Sequence, residues 1–138
     1  MSSPKTCLVD ANILLRYLRN DEPKQSPAVK RLVEQAGKGE VALEIPLIAI
    51  AETVFTLQSY YEVDREDIGR ELIKILRAPG VKLTCPDWTL DALEFYRTRN
   101  VSFGDSCIAA EAIVSDRVVA SFDQGLKRFP EITRYEPS

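Results

Sequence analysis

The chain of 138 residues contains no histidine. That absence removes the Ser-His-Asp triad, the Cys-His pair, the HExxH zinc helix and the histidine proton shuttle in one step. Any acid–base or metal chemistry must use carboxylates, lysine, tyrosine, thiols or water. Cysteine is sparse as well. Cys7, Cys85 and Cys107 are an odd set with no CxxC spacing, which excludes a zinc ribbon and a thioredoxin motif. The expectation is three reduced, buried thiols in a cytoplasmic protein. Long apolar runs are also missing. The longest, Ile45 to Ala51, contains Pro46 and is far too short to span a bilayer. The short polar start, Met1 to Lys5, reads as no signal peptide, so no membrane association is expected.

What is present is ordinary in amount. The chain is 45% hydrophobic and 28% charged, with 21 acidic and 18 basic residues and a net charge of −3. This is the composition of a globular protein, and the length predicts a single domain over residues 1–138. A mild acidic balance does not by itself mark a nucleic-acid binder, although a local basic patch remains open.

Hydrophobic patterning alternates strands with helices. Thr6–Val9 reads as a buried strand ending at Asp10, followed by a helix over Ala11–Arg19. Ser26-Pro27 has the form of a helix start, serine as cap and proline at the first helical position. Glu40–Ile45 reads as a second strand, and Pro46 opens an apolar helix reaching about Tyr60. Asp64 caps a helix to about Arg77. Val81–Cys85 is a third strand, and another helix runs from Asp87 or Trp88 to about Arg99. Asp105 leads a helix ending near Ser115. Val118–Ser121 is a fourth strand, and Ile132–Tyr135 a fifth. Strands separated by helices predict a parallel sheet covered on both faces, a three-layer α/β/α sandwich.

Four carboxylates stand out from this pattern. Asp10 and Asp123 each follow an apolar strand, and ligands of open parallel sheets bind just beyond strand carboxyl ends. If the first and fourth strands are neighbours, both acids face one crevice. The plainer alternative is that each caps the following helix or turn. Glu52 lies in a helix that is apolar on most sides, so it is expected to be half buried or more, paired with a cation or with Arg16. Asp105 is a favourable acid for a helix's first turn. Gathered together, such carboxylates repel and take up protons unless a cation intervenes. Oxygen-only ligation without histidine points to Mg²⁺ or Mn²⁺ rather than zinc. Such a site can activate a water and stabilise charge on a phosphodiester. Asn12, Thr53 and Ser121 are smaller candidates, with Asn12 and Ser121 placed to orient a ligand or metal-bound water.

These residues carry a recognisable pattern. Leu8-Val9-Asp10-Ala11-Asn12-Ile13-Leu14-Leu15-Arg16-Tyr17-Leu18 resembles the opening of PIN-domain nucleases. Ile50-Ala51-Glu52-Thr53-Val54-Phe55-Thr56-Leu57 is similar to their glutamate helix, Phe103-Gly104-Asp105-Ser106-Cys107-Ile108-Ala109-Ala110 to their aspartate-initiated helix, and Ala120-Ser121-Phe122-Asp123 to their final acidic turn. The compact size resembles the VapC-type toxins of toxin–antitoxin pairs. The resemblance implies a sandwich around a five-stranded parallel sheet and a Mg²⁺- or Mn²⁺-dependent endoribonuclease. It assigns Asp10, Glu52, Asp105 and Asp123 to the acidic catalytic and metal-holding places, with Asn12 and Ser121 flanking them. It also implies a homodimer and a cognate antitoxin. Ala11 and Ser121 stand where threonine is frequent, and neither departure removes an acid.

An acidic pocket repels RNA unless basic residues compensate. Candidates are Arg16, Arg19, Arg97, Arg99, Lys127 and Arg128, with Arg16, Lys127 and Arg128 nearest the motifs in sequence. Tyr17, Phe103 and Phe122 lie near the motifs, but core packing accounts for all three. Ile68, Leu72, Ile73, Ile75 and Leu76, with Tyr60 and Tyr61, form a candidate interface. Two other classes compete with the nuclease: an aspartyl-phosphate phosphatase using Asp10, whose pattern Asn12 and Leu14 break, and a non-catalytic interaction domain of the same fold.

Overall fold

A computed structural model describes residues 5–138. β1 (Lys5–Leu8) leads through α1 (Ala11–Arg19) and α2 (Gln25–Gly37) to β2 (Val41–Glu44). α3 (Leu47–Ser59) and α4 (Arg65–Leu76) carry the chain to β3 (Val81–Lys82). α5 (Thr89–Thr98) and α6 (Phe103–Ser115) precede β4 (Val119–Ala120), a 3-10 turn at Gln124–Arg128 and β5 (Arg134–Tyr135). Every strand pairing is parallel, as the alternation of strands and helices predicts. Among the described residues no helix is long and apolar enough to cross a membrane.

The sheet differs from the expected continuous one. It is split into a three-stranded sheet ordered β1-β2-β3 and a two-stranded sheet of β4 and β5. β1 and β4 are not hydrogen-bonded neighbours. β1 is therefore an edge strand, and the expected buried strand is mostly exposed: Leu8 is 75% exposed, while Val9 just beyond it is buried. β3 through β5 are each two residues long, shorter than their apolar runs. Without a partner on one side, the outer residues of those runs have no ladder to join.

The core follows the same division. One cluster gathers Leu14, Leu43, Ile50, Val54, Leu72 and Leu93 with their neighbours. A smaller one holds Val101, Ala109, Ala112, Val119, Leu126 and Phe129. Phe95 packs against both. The α4 residues proposed as an interface are core instead: Ile68, Leu72, Ile73 and Leu76 are buried. α4 carries apolar residues on more than one face because α5 lies across it. The two approach so closely at Gly69 that a Cβ there would stand 2.6 Å from the Arg97 Cβ.

Helix starts are set partly by residues other than those expected. Glu22, not Ser26, caps α2, accepting from the backbone N–H groups of Lys24 (3.0 Å) and Gln25. Ser26 is buried and donates its hydroxyl to the Arg16 carbonyl at 2.8 Å, tying α2 to the end of α1. α6 begins two residues earlier than expected, at Phe103, because the Ser102 hydroxyl caps it.

Two arginines fix the segment between α5 and α6. Arg65 donates to the carbonyls of Tyr96 (3.0 Å), Arg99 (2.8 Å) and Val101 (2.7 Å), where α5 ends and its carbonyls lack helical partners. Its guanidinium also lies 4.7 Å from the Tyr96 ring centroid. Arg99 lies 4.5 Å from the Phe95 centroid and 4.9 Å from that of Phe129. It pairs with Glu131 at 2.6 Å and reaches the Arg128 carbonyl. Arg99 and Arg97, which pairs with Glu94 at 2.9 Å, are thus structural rather than free for RNA.

Arg99 holds the Glu131 carboxyl below the ordinary glutamate range. A lowered folded value means that the pair stabilises at neutral pH and loses this contribution as pH falls through that value. Glu131→Gln should therefore cost under about 1 kcal/mol at pH 7, since the pair is partly exposed. Thermal melts across pH should show the gap closing in acid. Arg99→Ala should cost more at every pH, because the contacts to Phe95 and Phe129 do not titrate.

Candidate active site

Three of the four acids, Asp10, Asp105 and Asp123, follow a strand or open a helix, whereas Glu52 lies within α3. Asp10 ends the loop after β1 and caps α1, accepting from the Ile13 N–H at 3.1 Å. Asp123 follows β4 and caps the 3-10 turn, accepting from the Gly125 N–H at 2.8 Å. Its own N–H donates to the Ser121 hydroxyl at 2.9 Å. The capping expected of both aspartates is therefore present, and it orients each carboxylate at the end of a strand. Asp105 lies in the first turn of α6, where its N–H donates to the Ser102 hydroxyl at 3.0 Å.

Asp105 and Asp123 come together. The Asp105 carboxyl is held above the ordinary aspartate range, first by burial, then by the Asp123 charge and a hydrogen bond with Asp123, against an opposing hydrogen bond from Ser102. Gly125 borders both: a Cβ there would stand 2.5 Å from Asp105 Oδ2 and 3.2 Å from Asp123 Oδ1. Two carboxylates this close are a hard, oxygen-only donor pair whose repulsion a divalent cation relieves, so their chemistry fits Mg²⁺ or Mn²⁺.

The four acids do not all converge. Among the described residues, no three or more acidic or thiol side chains are close enough to hold a metal ion together. Glu52 sits on the exposed side of α3 rather than half buried. It borders a shallow hollow of about 470 Å³ shared with Ala11, Asn12, Leu15, Phe55 and Thr56. The alternative partner for Glu52 is absent too, because Arg16 donates to Gln25 Oε1 at 2.8 Å. Thr53 is buried and returns its hydroxyl to the Ala49 carbonyl at 2.7 Å, a helix-internal bond. The reason for the separation lies in the split sheet. Asp10 ends a strand of one sheet and Asp123 a strand of the other.

Among the polar neighbours, Asn12 is exposed beside Glu52, and Ser121 supports the Asp123 turn. Lys127 and Arg128 are exposed on the turn after Asp123. Of the aromatics read as core, Phe103 is buried but Phe122 is 68% exposed, one residue before Asp123. Arg19 covers the Tyr61 ring, with its guanidinium 4.9 Å from the centroid. The three cysteines are free, and half buried rather than buried as expected. Burial, aided by Glu111, pushes the Cys107 thiol up to about 12, so it is inert as a nucleophile.

Sequence reasoning passed over three residues. Ser102 caps Asp105's helix, and its signal was present as Ser-x-x-Asp at 102–105. Arg134 donates to the Ser121 carbonyl at 3.2 Å and so braces the Asp123 turn from β5. Gly125 fits against the acidic pair. The last two carry no local signal, because both act across a tertiary contact.

Ionised Asp105 is a cost to the metal-free fold, since its raised carboxyl favours the neutral form. In chelator at pH 7, Asp105→Asn should therefore melt about 1–3 °C higher than the parent chain. The difference should shrink as pH falls and the parent Asp105 takes up its proton. A scan by differential calorimetry measures both.

Comparison with known proteins agrees with this architecture. The family model for the PIN domain matches residues 7–132, a span that contains all four acids. The chain is 28% identical to a protein named VapC ribonuclease from Aquifex aeolicus (strain VF5) over 134 residues, covering 95% of this chain and 98% of that protein. With strands paired in parallel, acids at strand ends and helix starts, and a family match over most of its length, the chain belongs to the PIN-domain family.

Proposed function

We propose that this protein is a divalent-metal-dependent endoribonuclease, the toxin of a toxin–antitoxin pair, acting in the cytoplasm. The observation that carries the reading is the Asp105–Asp123 pair at the sheet's carboxyl edge in a PIN-domain chain. Similarity to a protein named VapC ribonuclease supports RNA as the substrate. Mg²⁺ or Mn²⁺, held by Asp105 and Asp123, supplies neutralisation of the acidic pocket and Lewis acidity toward a phosphodiester.

The chain's own residues do the rest. Ser102 and Gly125 hold the two carboxylates in place through Asp105 N and Asp123 Oδ1. Asp10, with one oxygen committed to its cap, has the other for a ligand or a water's proton. Glu52 and Asn12 extend the acidic edge across the hollow on α1 and α3. Arg16, Lys127 and Arg128 offset the charge that an incoming phosphate meets. In this reading the active form is a homodimer, and a cognate antitoxin protein silences it by covering the acidic edge.

Purified protein should cleave single-stranded RNA with Mg²⁺ or Mn²⁺ and not with chelator. Asp10→Asn and Asp105→Asn should each lower the cleavage rate by about 10²-fold or more, the scale of removing one charge-stabilising group. Full cleavage by Asp105→Asn, with metal binding unchanged, would overturn the assignment. Light scattering at high concentration tests the dimer.

A further inference from the structure

Gly125, in the 3-10 turn, borders both members of the acidic pair. Its φ is not in the left-handed region; in the described chain that region holds only Gly39 and Gly80 among glycines. Alanine could therefore adopt the same backbone, so the turn's conformation does not require glycine. Space does. An added Cβ would lie 2.5 Å from Asp105 Oδ2, 3.2 Å from Asp123 Oδ1 and 3.7 Å from Asp105 Cγ. The Gly125 N–H already donates to Asp123 Oδ1 at 2.8 Å, so Asp123 is pinned to the turn from below. Asp105 is anchored at its backbone N–H by Ser102, 3.0 Å away, and the atoms that an added Cβ would crowd are all in the side chains, Asp105 Oδ2 first, so its carboxylate is the part that must yield.

We infer that Gly125 is a positioning residue whose missing side chain sets the separation of the Asp105 and Asp123 carboxylates, and through it the size of cation the pair accepts. This rests on the reading above that the pair holds a divalent ion. Mg²⁺ demands a tight, near-octahedral set of oxygens, whereas Ca²⁺ tolerates longer and less regular ligation. Pushing Asp105 outward should therefore penalise Mg²⁺ and Mn²⁺ more than Ca²⁺. A purely structural glycine would change stability without changing that preference. Gly104 provides the control. It immediately precedes Asp105 in the same helix start, but a Cβ there would meet nothing closer than Ser102 Oγ at 3.9 Å.

The test is calorimetric titration of the full-length protein with Mg²⁺, Mn²⁺ and Ca²⁺ separately, with melting curves in chelator. Because only side-chain ends meet the new methyl group, Gly125→Ala should melt within about 2 °C of the parent. Its Mg²⁺ and Mn²⁺ affinities should fall about tenfold or more, the scale of disturbing a ligand's support, and its Ca²⁺-to-Mg²⁺ ratio should rise. Gly104→Ala should bind all three as the parent does. Parent-like affinities and ratio in Gly125→Ala would overturn the inference while leaving the metal reading intact. So would a melting point lowered by more than about 5 °C, which marks a structural role. Parent binding that is absent, or unaffected by Asp105→Asn, would overturn the metal reading and this inference with it.

Discussion

The packing of Arg99 over the edge-to-face pair of Phe95 and Phe129 is the interaction on which the site depends. Among the described residues the chain folds around two core clusters, and only Phe95 packs against both. β4, β5 and the turn between them form a small unit that could not bury enough apolar surface alone. Arg99 joins it to the end of α5 by covering two rings and pairing with Glu131. Arg65, a few residues away in space, satisfies the open carbonyls of the same junction. Arg65 thus ties down the segment that leads into α6, and Arg99 the last unit. Asp105 belongs to α6 and Asp123 to the last unit.

That arrangement concentrates a conflict. Two carboxylates meet at the start of a helix, in a position where burial and mutual repulsion both disfavour charge. Among the described residues, no basic side chain forms an ion pair with either carboxylate. The surrounding polar groups hold the pair in place, through the Ser102 hydroxyl and the Gly125 N–H. Such an arrangement costs stability while both carboxylates are charged. The net charge of −3 is therefore a poor guide to what the protein binds. What matters is that two of the acidic residues are brought side by side on a rigid support.

The split sheet explains why the acids are graded rather than equivalent. β1 ends two residues before Asp10 with a free edge, and its outer residues, Leu8 above all, remain in solvent. Asp10 caps α1 and Glu52 borders the hollow between α1 and α3, whereas Asp105 and Asp123 meet at the start of α6. Phe122 and Phe55 are both exposed near these acids, at 68% and 70%. Their exposure leaves apolar surface beside the charged groups, suited to unstacked bases or to a protein partner.

Much of this was legible from residues alone. The absence of histidine restricted the ligands to oxygen. The apolar runs of β1 and β4 ended at Asp10 and Asp123, because a buried strand reads as a continuous hydrophobic segment. Asp105 in a helix's first turn followed from capping and dipole rules. Other features belong to the tertiary structure. Glu52 was expected to be sheltered because its helix is apolar, yet the direction it faces depends on which helices pack around α3. The α4 residues read as an interface are core because α5 covers them. Strand order, and so which acids meet, depends on pairing energies that no local pattern encodes. The sequence by itself determined the kind of chemistry and the elements that carry it, since residue types and periodicity are local. Only the tertiary structure decided that Asp105 and Asp123, and not all four acids, share a site, because carboxylate separation is set by packing between distant segments.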